Sequence, residues 1–183
     1  MNSNTVLNIV GISGSLRNKS SNTNLLRALS ELAPENMNIS IFDGIGDLPH
    51  FNPELDDEPP ASVTCFREQM KEADGLIIST PEYAHGVPGV LKNALDWLVP
   101  SGELYEKPLV VLSASPLETG GEKAHDSILL TLRMMTARIT PGGSLCIPFI
   151  NKKINAEYEV TDELLREKLK AMLIQLGQTA ESK

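Results

Sequence analysis

Two runs in this chain, 75–80 (GLIIST) and 109–113 (LVVLS), are almost wholly apolar and too short for helices. A strand with one face in water alternates apolar and polar residues. A strand that never alternates must be covered on both faces, which is the environment inside a parallel sheet. Parallel neighbours in turn need long crossover connections, normally helices. The remaining sequence supplies them. Residues 6–12 (VLNIVGI), 38–42 (NISIF) and 144–147 (SLCI) read as three further strands. Between the strands lie segments of helical spacing. Leu25, Leu26, Leu29 and Leu32 recur until Pro34 stops them, and 61–73 and 87–98 follow, with Pro88 tolerated in a first turn. The spacing of Ile128, Leu132, Met135 and Ile139 predicts a helix over 122–139, and Pro141-Gly142-Gly143 separates it from the last strand. A final amphipathic helix, capped at Thr161, carries Leu164, Leu165, Lys168, Leu169, Met172, Leu173 and Leu176. Five strands alternating with five helices predict an α/β chain in three layers, helices on both faces of a five-stranded parallel sheet. With 183 residues and no linker, one domain spanning 1–183 is expected.

Charge narrows the partners. Twenty-four acidic residues against sixteen Lys and Arg give a net charge of −8 and a pI near 4.9. Nucleic acid and anionic membrane both demand a basic surface, so neither is expected as a partner, and any anionic ligand must be held by a local feature. No run approaches the roughly eighteen apolar residues that a membrane span requires. Residues 1–5 (MNSNT) show no basic leader followed by an apolar stretch, which favours a cytoplasmic location. Cys65 and Cys146 are too few for a disulfide framework or a multi-cysteine zinc site, and both are expected to be buried structural thiols. No metal site is expected.

In a doubly wound sheet, ligands bind beyond the carboxyl ends of the strands. Three loops fall there: 13–22, 81–87 and 113–121. The first, with Ser13, Ser15, Arg17, Asn18, Lys19, Ser20, Ser21 and Asn22, is rich in hydroxyls and amides, carries two positive charges and has no acid. It runs straight into a helix N-terminus, where unpaired N–H groups and the helix dipole favour a phosphate. Arg17 can hold two phosphate oxygens at once, which Lys19 cannot. The alternative is a plain polar loop with a Ser or Asn cap. Gly11 and Gly14 have the wrong spacing for a dinucleotide-binding G-x-G-x-x-G, no Walker A segment exists, and Gly11-Ile12-Ser13-Gly14-Ser15 is out of register for a nucleophile elbow. With only His50, His85 and His125, a hydrolytic triad has little to build on.

Three segments occur in order: Gly14-Ser15-Leu16-Arg17-x-x-Ser20-x-Asn22, Thr80-Pro81-Glu82-Tyr83 and Pro88-Gly89-x-Leu91-Lys92-Asn93-Ala94-Leu95-Asp96-Trp97. Together with Ser113-Ala114-Ser115-Pro116 and Gly120-Gly121, they make residues 11–139 resemble the NAD(P)H-dependent FMN reductase family, which includes quinone, chromate and azo-dye reductases of flavodoxin-like fold. The resemblance implies a flavodoxin-like FMN-binding domain with Ser15, Arg17, Ser20 and Asn22 on the FMN phosphate. It also implies Pro81, Glu82 and Tyr83 along the flavin ring, with Ser115 closing the other side. Ala84 and His85 stand where many relatives have Asn followed by an aromatic or polar residue. That leaves Ala84 its backbone contacts only, while His85 either touches the ring or the nicotinamide or faces solvent.

NAD(P)H is then the co-substrate, and a quinone, free flavin or similar small molecule the acceptor, in a ping-pong cycle through flavin N5 that needs no protein nucleophile or base. A homodimer or homotetramer is implied, with Trp97 as either a core anchor or an interface anchor. A flavodoxin-type electron carrier, with tightly bound FMN and protein redox partners, is the alternative.

Overall fold

The computed structural model describes residues 6–182; residues 1–5, read above as lacking a leader, lie outside them. Strands β1 (Leu7–Ser13), β2 (Met37–Phe42), β3 (Gly75–Thr80), β4 (Pro108–Ala114) and β5 (Arg138–Ile147) form one sheet. Helices α1 (Ser21–Leu32), α2 (Ala61–Glu72), α3 (Gly89–Trp97), α4 (Glu122–Met134) and α5 (Glu163–Glu181) connect and cover them. All four strand pairings are parallel, in the order β2-β1-β3-β4-β5. This is the flavodoxin-like order, whose direction of winding reverses between β1 and β3. The loops leaving those two strands therefore diverge around a crevice. Every residue of β3 and β4 is buried. Leu25, Leu26 and Leu29 of α1 join Leu169, Leu173 and Leu176 of α5 in the core on one face. Val63 and Phe66 of α2, Leu91 and Leu95 of α3, and Ile128 and Leu132 of α4 fill the other. Among the described residues, no helix is long and apolar enough to cross a membrane.

Three boundaries depart from the sequence pattern. The helix predicted over 122–139 stops at Met134, and Thr136 takes a positive φ of 56° that ends it. Ile139 belongs instead to β5, which runs through Pro141-Gly142-Gly143. Leu109 pairs with Ile139 and Val111 with Ser144, so the edge strand bulges outward between them. An edge tolerates this proline because its N–H side need not pair. Gly143 is required there, since a Cβ would collide with the Thr140 hydroxyl and lie 2.9 Å from the Thr140 carbonyl oxygen. Finally, α5 is capped by Asp162, whose carboxylate accepts from the Leu165 N–H at 2.8 Å, and not by Thr161; Leu164 and Lys168 face solvent.

The long connection 43–60 is fastened down. The Trp97 indole Nε1 donates to the Pro49 carbonyl at 2.8 Å, and Asn93, one turn earlier on α3, donates to the same carbonyl at 2.9 Å. Asn93 also accepts from the Phe51 N–H, and Arg67 bridges Asp56 to the Trp97 carbonyl. Trp97 is fully buried within its own chain, which makes it a core anchor and removes it from any interface. Neither cysteine is a buried structural thiol. Cys65 is exposed, because α2 turns Val63, Phe66 and Met70 inward, and Cys146 is half-buried on the edge strand; both are free.

Replacing Trp97 with Phe keeps an aromatic ring but removes one donor to Pro49. A loss of about 1–2 kcal/mol is expected in urea unfolding, with faster proteolysis within 43–60.

His125 on α4 is buried, its Nε2 lies 2.7 Å from the Ser144 hydroxyl oxygen, and burial lowers its pKa below the ordinary 6.5 against a smaller opposing pull from Asp126. The unfolded chain therefore binds the proton that the folded chain refuses, so the contribution of His125 to stability is lost as pH drops below 6.5. In His125→Gln, the urea midpoint should lose that part of its decline across this window.

Candidate functional site

At the carboxyl edge, the loops after β1, β3 and β4 enclose a cleft of about 220 Å3. Its walls include Ser15, Arg17 and Ser20 from the first loop, Pro81, Glu82 and Tyr83 from the second, and Ser115, Pro116 and Leu117 from the third. Ser21, Ala114, Pro116 and Leu117 line it as well; the sequence placed them in the loops but gave none of them a ligand role. Ala84 and His85 do not line the cleft.

The floor is set by one buried amide. Asn22, in the first turn of α1, donates through Nδ2 to the Ala114 carbonyl of β4 at 3.1 Å and accepts from the Ser79 hydroxyl of β3 at 2.9 Å. Its side chain is therefore tied inward to both strands, while its backbone N–H at the start of α1 stays available to an anion. Ser20 is the N-cap of α1, its hydroxyl oxygen accepting from the Thr23 N–H at 3.3 Å, while its own O–H proton stays free to donate. Ser15 is buried, and its oxygen accepts from the Arg17 N–H. Arg17 is exposed, and among the described residues it pairs with no carboxylate. The N–H groups of Leu16, Asn18 and Lys19 likewise have no acceptor within the described protein. Loose N–H donors, two cations and a helix N-terminus fit a phosphate group.

The second loop is a tight hairpin, Tyr83 and Gly86 exchanging backbone hydrogen bonds at 3.1 and 3.0 Å. Both central residues take left-handed conformations, Ala84 at φ 49° and His85 at φ 60°. That is the type I′ geometry, which Asn and Gly favour and Ala resists. The His85 side chain projects into solvent, its Nδ1 3.5 Å from Glu82. The Glu82 carboxylate is engaged beyond the cleft that the residue lines. Its Oε2 accepts from the Lys123 and Ala124 N–H groups at 2.8 and 3.2 Å, capping α4 from the neighbouring loop. The α4 N-cap itself is Gly121 at φ 87°, which has no side chain to do so and whose Cβ would crowd Ser113. Ser115 closes the far wall, its oxygen accepting from the Leu117 N–H.

Beside this wall, burial pushes the Cys146 thiol above its ordinary value; Ser113 opposes the shift, and Asp126, Glu122 and Glu82 add to it. It stays protonated and offers no nucleophile.

The signature of the NADPH-dependent FMN reductase family matches residues 7–152. The chain belongs to that family. A quinone reductase of Escherichia coli is 32% identical over 177 residues, covering 94% of each chain. An NAD(P)H-dependent FMN reductase of Pseudomonas aeruginosa is 33% identical over 171 residues, covering 91% of each. Among solved structures, the flavoenzyme NAD(P)H:(acceptor) oxidoreductase FerB of Paracoccus denitrificans superposes with a TM-score of 0.87 at 29% identity, over 97% of this chain and 98% of that one.

The strain at Ala84 is measurable. Ala84→Asn should raise stability by about 0.5–1 kcal/mol, seen as a higher urea midpoint at unchanged slope, because Asn tolerates the left-handed region that costs Ala about 1 kcal/mol or more.

Proposed function

We propose that this FMN reductase family member moves a hydride from NAD(P)H to a quinone, free flavin or similar small acceptor, within a single FMN-binding domain. The observation that carries the reading is the convergence of Arg17, Ser15 and the α1 N-terminus with the 81–83 and 115–117 walls on one cleft. When bound, FMN would supply the redox chemistry, taking reducing equivalents from the nicotinamide and passing them to the acceptor.

The chain's own residues do the placing. Arg17, the Ser15 and Ser20 hydroxyls and the first-turn N–H groups, Asn22 among them, hold the phosphate. Their donors match its charge without help from a metal. The backbone of Pro81-Glu82-Tyr83 and the Ser115 wall fix the ring edge, and Glu82 keeps the 81–86 hairpin against α4 so that the two walls keep their spacing. Tyr83 is half exposed at the mouth, a flat apolar body on which a nicotinamide or a quinone can rest. No residue is asked to act as base or nucleophile.

Assembly as a homodimer or homotetramer and a cytoplasmic location belong to the same proposal. Leu130 and Met134, one turn apart and both exposed on α4, are the kind of apolar surface a second copy would cover.

Purified protein should bind FMN, seen by its visible absorbance, and should oxidise NADPH or NADH only when a quinone is present. Arg17→Ala should weaken FMN by roughly 1.5–3 kcal/mol in a fluorescence titration, the scale of a hydrogen bond to a charged group. Saturating FMN that leaves no complex would overturn the reading.

A further inference from the structure

A second cavity, of about 490 Å3, lies on the other side of the first loop, between that loop, α1 and the carboxyl end of β2. Ser15 and Arg17 line both spaces, so whatever occupies one is adjacent to whatever occupies the other. Its volume is within the roughly 300–1,000 Å3 of small-molecule sites.

The walls divide by chemistry. Ile41, Phe42 and Ile45 make an apolar shelf, and Arg17 and Arg27 bring two guanidinium groups to the same space. Arg27 is half-buried and held in place. Its Nη1 donates to Asn24 at 3.0 Å, and the Tyr158 ring lies under the guanidinium at 4.9 Å. Neither arginine is ion-paired among the described residues, and Asp43 lines the cavity without pairing with either. A fixed, part-buried cation without a counter-ion is costly, and a phosphate offsets that cost with two parallel hydrogen bonds. On a chain of net charge −8, Arg27 is the cation that stays open to a further anion once Arg17 holds the FMN phosphate.

Inorganic phosphate would leave the apolar shelf unused. A nucleotide uses both halves, its base on Ile41 and Phe42, its phosphate on Arg27, with Asp43 available to a ribose hydroxyl.

We propose that this cavity seats the phosphate-bearing adenylate end of the nicotinamide dinucleotide, with Arg27 reading the extra phosphate that distinguishes NADPH from NADH. The assignment rests on the FMN reductase reading. FMN fills the cleft, the nicotinamide must reach its ring, and the dinucleotide's other end then extends past Arg17. Nucleotide and FMN bind together and do not compete.

The test uses protein saturated with FMN and titrated calorimetrically with adenosine 2′,5′-bisphosphate, which cannot reduce the flavin. Binding is expected with FMN retained, at least tenfold tighter than for adenosine 5′-monophosphate. Arg27→Ala should weaken the bisphosphate tenfold or more while FMN affinity stays within twofold, and Arg27→Lys should fall between. If Arg27→Ala fails to take up FMN, the Lys variant decides alone. Absence of binding to the FMN-loaded protein, release of FMN by the nucleotide, equal affinity for the monophosphate, or indifference to Arg27 substitution each overturns the assignment. Failure of the unsubstituted protein to bind FMN overturns the FMN reading itself, and flavin absorbance tells the two apart.

Discussion

The buried carboxamide of Asn22 fixes the frame on which every other part of the site depends. One side chain joins α1 to β3 through Ser79 and to β4 through Ala114. The bonds form in the core, where a neutral hydrogen bond is worth most and an unmet polar group is most costly. The start of α1 is thereby held in one position against the ends of two strands, and those strands launch the other two loops. The N–H groups of the first turn thus point at a place defined by β3 and β4, not by the loop's own flexible residues. Ser20, capping the same helix, fixes where that turn begins. An anion seated there would need little rearrangement of the frame, which keeps the ordering cost low.

The wall loops are held by the same kind of long-range contact. Glu82 caps a helix forty residues away, so the 81–86 hairpin cannot drift from α4 without exposing two helix N–H groups. The strain at Ala84 and His85 is tolerated because the hairpin is clamped at both ends, by the Tyr83–Gly86 pair and by this cap. On the opposite flank, Asn93 and Trp97 do the equivalent for 43–60, converging on one carbonyl. That segment leads out of β2 through Asp43 and Ile45, both of which line the second cavity. A helix segment that reads as an amphipathic core element thus also holds the loop that continues from a binding wall.

What was legible in the sequence was what depends on local pattern. The runs 75–80 and 109–113 could only be buried strands, and from them the layered parallel sheet followed. Ile139 misled because it continues a helical spacing, while the chain's actual break, a left-handed Thr136, leaves no mark in a hydrophobic pattern. Pro141-Gly142-Gly143 looked like a terminator, and only the free edge of β5 lets it be a bulge. In the site, the loop that would hold a phosphate was visible from composition, but the division of labour inside it was not. Asn22 and Arg17 are equally polar in sequence; burial turns one into a structural tie and leaves the other open to a ligand. Glu82 has the same history, since its partners are backbone N–H groups that no residue type announces. The second cavity was invisible for a further reason. Arg27 sits on a helix otherwise read for its leucines, and it meets Ile41 and Phe42 only because β2 lies beside β1.

The acidity of the chain takes on meaning once the cations are located. Asp43, Asp47, Glu54, Asp56, Asp57 and Glu58 crowd the segment after β2, while Arg17, Lys19 and Arg27 gather around the first loop and α1. The two clusters are neighbours, because β1 and β2 are paired. Field from the acidic segment opposes anions approaching over most of that side, and salt limits its reach to about 10 Å at moderate ionic strength. An anion is therefore favoured only where the guanidinium groups are closer to it than the carboxylates are. Polyanions, which must contact many surface points at once, meet net repulsion, whereas a mononucleotide or dinucleotide, which inserts its phosphates one at a time, meets paired hydrogen-bond donors. The same −8 that weighs against a polyanion thus leaves room for small phosphorylated molecules.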